Sequence, residues 1–157
     1  MINEFHLDDT AATEQFGAAL LPYLPEKSLI FLYGELGAGK TTLVRGLLRS
    51  AGVTGTIKSP TYAVIEEYSA HHRKIFHFDL YRLADPQELE WIGIDDYLMQ
   101  SALCLIEWPC KGKGVLPQAD INITLSHQND GRLIQISGIE IPNNFLMRAC
   151  KNNNILV

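Results

Sequence analysis

Basic residues are in short supply in this chain. Its 157 residues include 13 Lys and Arg against 18 Asp and Glu, a formal net charge of −5. Proteins that hold RNA or DNA by neutralising phosphates need the opposite balance, so bulk electrostatic binding of nucleic acid is argued against. Reaching a nucleic acid through a partner remains open. Cysteine is just as sparse: Cys104, Cys110 and Cys150, an odd number with no CxxC pair. That pattern speaks against a disulfide framework or a zinc site and fits a reducing compartment. No apolar run approaches membrane-spanning length, and Met1 to His6 shows no basic-then-apolar leader. A cytoplasmic protein without membrane contact is therefore expected. Repeats and linkers are also missing. One domain over residues 1–142 is expected, followed by an Asn-rich tail over 143–157 that reads as frayed.

What is present is concentrated in residues 34–41. Gly34, Glu35, Leu36, Gly37, Ala38, Gly39, Lys40 and Thr41 form a complete GxxxxGK[ST] phosphate-binding loop. Each fixed residue has a physical task. Glycines admit positive φ and keep Cβ atoms away, so successive backbone N–H groups can converge on one anion. Lys40 would reach the β- and γ-phosphates, and the Thr41 hydroxyl would hold Mg²⁺. The surroundings suit the motif. Residues 28–33, Ser-Leu-Ile-Phe-Leu-Tyr, read as a buried parallel strand. Leu43, Leu47 and Leu48 then recur at helical spacing until Gly52, which suits a C′ position. The positive end of that helix would face the phosphates.

The remaining pattern is mixed. Asp8, Asp9 and Thr10 offer N-caps to a helix carrying Ala12, Phe16, Ala19 and Leu20 on one face. Residues 63–69 and 74–79 predict a hairpin around 70–73. Asp85-Pro86-Gln87-Glu88 predicts a helix start with Asp as cap and Glu three positions on. A second short helical piece is expected near 94–100, a buried strand at 101–106 and a loop at 111–114. A second hairpin is expected from residues 119–126 and 132–137. The sum is an α/β, P-loop NTPase-type three-layer fold whose mixed sheet has parallel core strands and antiparallel hairpins.

A phosphate loop needs a further acid to hold or orient Mg²⁺, normally at the end of a neighbouring strand. The apolar run Ile75-Phe76-His77-Phe78 ends in Asp79, and Leu103-Cys104-Leu105-Ile106 ends in Glu107. Open α/β sheets bind ligands beyond the carboxyl ends of their strands, which brings both acids to the loop. Asp79 alternatively caps the next turn. Trp108 either packs on the nucleotide or is an ordinary rim aromatic. Ser59-Pro60-Thr61-Tyr62 either closes on the γ-phosphate or simply enters a strand. No Asn-Lys-x-Asp element occurs, which favours adenine over guanine. Asp9, Thr10 and Arg132 are candidates near the base. Arg45, Arg49 and Arg82 are candidates for charge stabilisation but read rather as a solvated face, and His71 and His72 as exposed turn residues. The catalytic set expected is Glu107, Asp79 and Lys40. Nucleotide contacts are expected from Thr10, Glu35 to Thr42, Thr61, Trp108 and Arg132, and Mg²⁺ ligation from Thr41, Asp79 and Glu107.

Four segments together are more specific than the loop alone. Residues 34–41, 59–62, His77-Phe78-Asp79-Leu80-Tyr81-Arg82 and Glu107-Trp108-Pro109 stand in the order and spacing of bacterial TsaE (YjeE) ATPases. The resemblance runs from Thr10 to about Gly138. It implies a protein that binds ATP and hydrolyses it slowly, needed for N6-threonylcarbamoyladenosine at position 37 of tRNAs reading ANN codons. It further implies partnership with the TsaB–TsaD pair, tRNA being reached only through those partners. By the same resemblance Lys40 and Thr41 hold phosphate and Mg²⁺, Asp79 is the Walker-B acid and Glu107 the essential site acid. The rival reading is a small-molecule or nucleotide kinase. Such enzymes usually close an arginine-bearing lid, and only six arginines occur here without clustering. A nucleotide-gated binding module without hydrolysis is the third reading.

Overall fold

The computed structural model describes residues 1–142, 144 and 145. Seven strands make one sheet: β1 (Ile2–Leu7), β2 (Ser28–Tyr33), β3 (Ile65–Ala70), β4 (Arg73–Asp79), β5 (Leu103–Glu107), β6 (Ile121–Gln128) and β7 (Gly131–Ser137). Their order across the sheet is β1-β7-β6-β2-β5-β4-β3. The central strands β6, β2, β5 and β4 are parallel, and antiparallel pairs close both edges. The mixed sheet expected from the two hairpins is present. The first hairpin turns on His71 and His72 alone, both at positive φ, as a two-residue turn matched to the strand twist requires. The second turns on Asn129 and Asp130.

Helices α1 (Thr10–Leu20) and α2 (Lys40–Ser50) cover one face; α3 (Gln87–Trp91) and α4 (Ile94–Leu98) cover the other. Pleating divides the core accordingly. Ile30, Leu32, Ile75, Leu103 and Leu105 face α1 and α2, while Phe31, Phe76, Phe78, Cys104 and Ile106 face α3 and α4. Burial pushes the Cys104 thiol up to about 11, so it packs as a small hydrophobe. Asp9 caps α1, its carboxylate accepting from the Ala12 N–H at 2.8 Å, a contact of about 1 kcal/mol. The Asp85–Glu88 helix start forms reciprocally. Asp85 accepts from the Gln87 N–H at 2.9 Å, and Glu88 from the Asp85 N–H at 3.0 Å.

Two helices that matter for the site meet backbone to backbone. A Cβ on Gly17 would collide with the Leu43 carbonyl in α2, and one on Gly46 with the Glu14 carbonyl in α1. α1 is thereby seated directly on the helix that begins at Lys40.

Some expectations change. β1 was not foreseen; it joins the sheet by pairing with β7 along its whole length. The expected loop at 111–114 begins inside a 3₁₀ turn, Pro109–Gly112, with Gly112 buried against Leu89 and Leu116. The short helical piece near 94–100 stops at Leu98. Asn143 and residues 146–157 of the expected tail lie outside the described residues. Phe145 does not fray: its ring is buried and packs on Phe5, Phe16 and Tyr23 with centroids 5.2–5.6 Å apart. Among the described residues no helix is long and apolar enough to cross a membrane.

Candidate nucleotide site

The strand β2 ends at Tyr33, and the chain turns through Gly34, Gly37 and Gly39, all at positive φ, before α2 begins at Lys40. Gly34 admits no side chain, since its Cβ would press on the Leu125 carbonyl of β6. Gly39, at φ 106°, starts the helix where an L-residue would be strained. The result is the strand–loop–helix arrangement that the sequence predicts, its backbone N–H groups gathered at a helix N-terminus.

Over this loop lies a cleft of about 260 Å³, lined by Leu36 to Thr42, Ser59, Thr61, Asp79, Glu107 and Trp108. Of the expected nucleotide contacts, Leu36, Gly37, Ala38, Gly39, Lys40, Thr41, Thr42, Thr61 and Trp108 all meet there. Glu35, Thr10 and Arg132 are not in the lining. Glu35 contributes its carbonyl to Lys40. Thr10 opens α1, whose Thr13 packs beside Gly39. Arg132 grips the loop from behind, donating to the carbonyls of Ala38 at 2.9 Å and Gly37 at 3.2 Å. Its place in β7, opposite Leu7 of β1, fixes it there.

Lys40 is buried, and its ammonium donates to the carbonyls of Gly34 and Glu35 while lying 4.5 Å from the Trp108 ring centre. Burial lowers its pKa from the ordinary lysine value, and the charges of Glu107 and then Asp79 oppose that fall. Trp108 adopts a left-handed backbone, φ 56°, that swings its ring over Lys40 and against Tyr81 at 5.0 Å. A non-glycine residue in this region is uncommon and marks a place where the surrounding structure dictates conformation.

The two acids stand in register on adjacent parallel strands, Asp79 opposite Glu107. Their settings differ. One Asp79 oxygen accepts from Thr61 at 3.0 Å and from Ser59 at 3.5 Å; the other accepts the Tyr81 N–H at 3.0 Å. The Asp79 backbone N–H donates to Val64, a β-branched residue held at φ 69°. Residues 59–64 are thus tied to the end of β4 by side chain and main chain alike. Glu107 instead receives the Thr41 hydroxyl at 3.1 Å and lies 3.3 Å from His77 Nε2. The oxygens of Thr41, Asp79 and Glu107 are hard donors, the type Mg²⁺ prefers. Among the described residues no three His, Cys, Asp or Glu side chains converge on a metal position.

Sequence reasoning missed His77 and Tyr81. The signal for His77 was present: an ionisable ring at an inward position of an apolar strand. For Tyr81 the useful group is a main-chain N–H, which no residue type announces.

Known proteins can now be set beside this geometry. The family model described as "Threonylcarbamoyl adenosine biosynthesis protein TsaE" matches residues 7–134. A Haemophilus influenzae protein named tRNA threonylcarbamoyladenosine biosynthesis protein TsaE is 50% identical over 124 residues, covering 78% of each chain. Proteins of the same name from Synechocystis and Bacillus subtilis are 42% and 33% identical, over 68% and 78% of this chain and 69% and 75% of their own. The crystal structure of Bacillus subtilis YdiB superposes with a TM-score of 0.75 at 24% identity, covering 99% of this chain and 95% of that one. That likeness concerns the fold, and it agrees with the P-loop-type mixed α/β architecture. With a family model spanning residues 7–134 and a relative that shares half of its aligned residues, the chain belongs to the TsaE family.

Proposed function

We propose that this chain is a cytoplasmic ATPase that binds Mg-ATP over the 34–41 loop and hydrolyses it slowly. We place this nucleotide cycle in the synthesis of N6-threonylcarbamoyladenosine at position 37 of tRNAs reading ANN codons. The relatives bear the name of that biosynthesis. The observation that carries the hydrolytic reading is the convergence of Lys40, Thr41 and Glu107 at one end of α2, with Thr41 hydrogen-bonded to Glu107.

In this reading the loop N–H groups and Lys40 bind the β- and γ-phosphates, Lys40 leaving its two carbonyl partners to do so. Thr41, Asp79 and Glu107 would hold Mg²⁺, directly or through water, and the ion would supply neutralisation of phosphate charge. Glu107 orients the attacking water toward the γ-phosphorus. Ser59 and Thr61, already leashed to Asp79, respond to the γ-phosphate. Trp108 covers Lys40 and limits water access from that side. ATP and water give ADP and phosphate. Arg82 is engaged elsewhere, lying over the Tyr62 ring at 4.2 Å. Among the described residues no arginine lines the cleft; we take charge stabilisation to come from a residue supplied in trans, in keeping with slow turnover alone and dependence on the TsaB–TsaD pair. The net charge of −5 suits a protein that reaches tRNA only through those partners.

The test separates binding from turnover. Glu107→Ala should retain ATP binding by calorimetry while phosphate release falls on the order of 100-fold. Lys40→Ala should weaken binding itself. Rapid turnover of ATP by the isolated chain would sink the partner-dependent picture, and stoichiometric transfer to a small-molecule acceptor would establish the kinase instead.

A further inference from the structure

His77 is fully buried, yet the proposed reaction has not used it. It belongs to β4, two residues before Asp79, and so lies on the same side of the sheet one pleat deeper. The neighbouring positions on this side are apolar on its own strand, at Ile75, and on β5, at Leu103 and Leu105, while β3 places the half-buried Glu66 opposite it. An imidazole there is costly, because burial without hydrogen-bond partners forfeits its hydration. Nδ1 has no partner. Nε2 lies 3.3 Å from Glu107 Oε2, within ion-pair reach, but is not aligned to it as a hydrogen bond. Glu107 is accordingly approached from two sides, by the Thr41 hydroxyl at 3.1 Å from Oε1 and 3.5 Å from Oε2, and by His77 near Oε2.

We propose that His77 is a positioning residue for Glu107. Its Nε2–H fixes Oε2 from within the core, so that Oε1 is presented to Thr41 and the cleft. Contacts of this type commonly align only in the Michaelis complex. An apolar residue would pack as well against Ile75 and Leu105 but would leave Glu107 free to rotate about its terminal bonds. The inference rests on the reading of Glu107 as the residue that orients water.

The variants His77→Leu and His77→Gln test it in the full-length chain, with Glu107→Gln alongside. His77→Leu removes a polar group from an apolar layer, so its melting temperature should equal or exceed that of the parent. Its kcat for ATP should fall about tenfold, with ATP affinity by calorimetry within about twofold. His77→Gln places an amide N–H near the position of Nε2 and should recover most of the lost rate. In the Glu107→Gln background, His77→Leu should add no further loss. Wild-type kcat in His77→Leu overturns the proposal, as does an equal loss in both His77 variants that follows a fall in melting temperature. Glu107→Gln keeps the two ideas apart. If it leaves hydrolysis unchanged, the role of Glu107 itself fails. If it abolishes hydrolysis while His77→Leu does not, only the role of His77 fails.

Discussion

Asp79 and Glu107 end adjacent parallel strands, face each other in register and are 5% and 2% exposed. Asp79 is hydrogen-bonded on both oxygens, by two hydroxyls of the 59–61 segment and by the Tyr81 N–H. Glu107 has one hydroxyl, from Thr41, and a histidine beneath it. Two carboxylates brought to one place by the same sheet are thus held for different work. Asp79 is committed to the loop that flanks the cleft. Glu107 is committed to the helix that carries Lys40, and it retains capacity for a ligand. Position at a strand end tells where an acid goes; its hydrogen-bond partners tell what remains for it to do.

Four measurements press on this contrast. The largest effect is expected at Glu107→Gln, where kcat should drop on the order of 100-fold with ATP affinity nearly kept. Asp79→Asn keeps acceptor and donor atoms for its neighbours and removes the charge. It should cost about tenfold in kcat, with a rise in the Mg-ATP concentration needed for half-saturation. If Asp79→Asn loses as much as Glu107→Gln while binding ATP normally, the division of labour is broken. Thr61→Val deletes one of the hydroxyls on Asp79 and should lower unfolding stability by about 1–2 kcal/mol in denaturant titration. Parent-like stability would mean that the leash on residues 59–64 contributes little. The smallest effect concerns Lys40. Glu107 is the stronger of the two acids in opposing the downward shift that burial imposes. Glu107→Gln should therefore lower the Lys40 pKa further than Asp79→Asn does, read as amine acylation by mass spectrometry against pH. The reverse order would assign Lys40 to Asp79.

Much of this was legible in the residues. The phosphate loop shows because its glycines answer a local backbone demand, and Asp79 and Glu107 show because a charge ending an apolar run is anomalous wherever it occurs. The helix start at Asp85 reads directly for the same local reason. β1 does not read, because an edge strand of six residues takes its identity from β7, 125 to 135 positions later, and the alternation in Ile-Asn-Glu-Phe-His-Leu is faint. Arg132 is a sequence candidate near the base, but its hold on the Gly37 and Ala38 carbonyls follows from β7 pairing with β6, the strand beside β2, a fact of topology. The close seating of Gly17 on Gly46's helix is equally silent, since a glycine inside a helix looks like a defect until its neighbour is known.

That pair of glycines has a consequence for length. α2 begins with Lys40 and Thr41, at the phosphate end of the proposed ligand, and α1 begins at Thr10, a candidate for its base end. With no side chain between them at the crossing, the two backbones touch directly, and a Cβ at either glycine would collide with the facing carbonyl. On the proposed reading, that contact sets the distance between the two helix starts, and with it the room left over the phosphate loop. A single methyl group at position 17 or 46 would force that distance to change while leaving every residue of the cleft lining as it is.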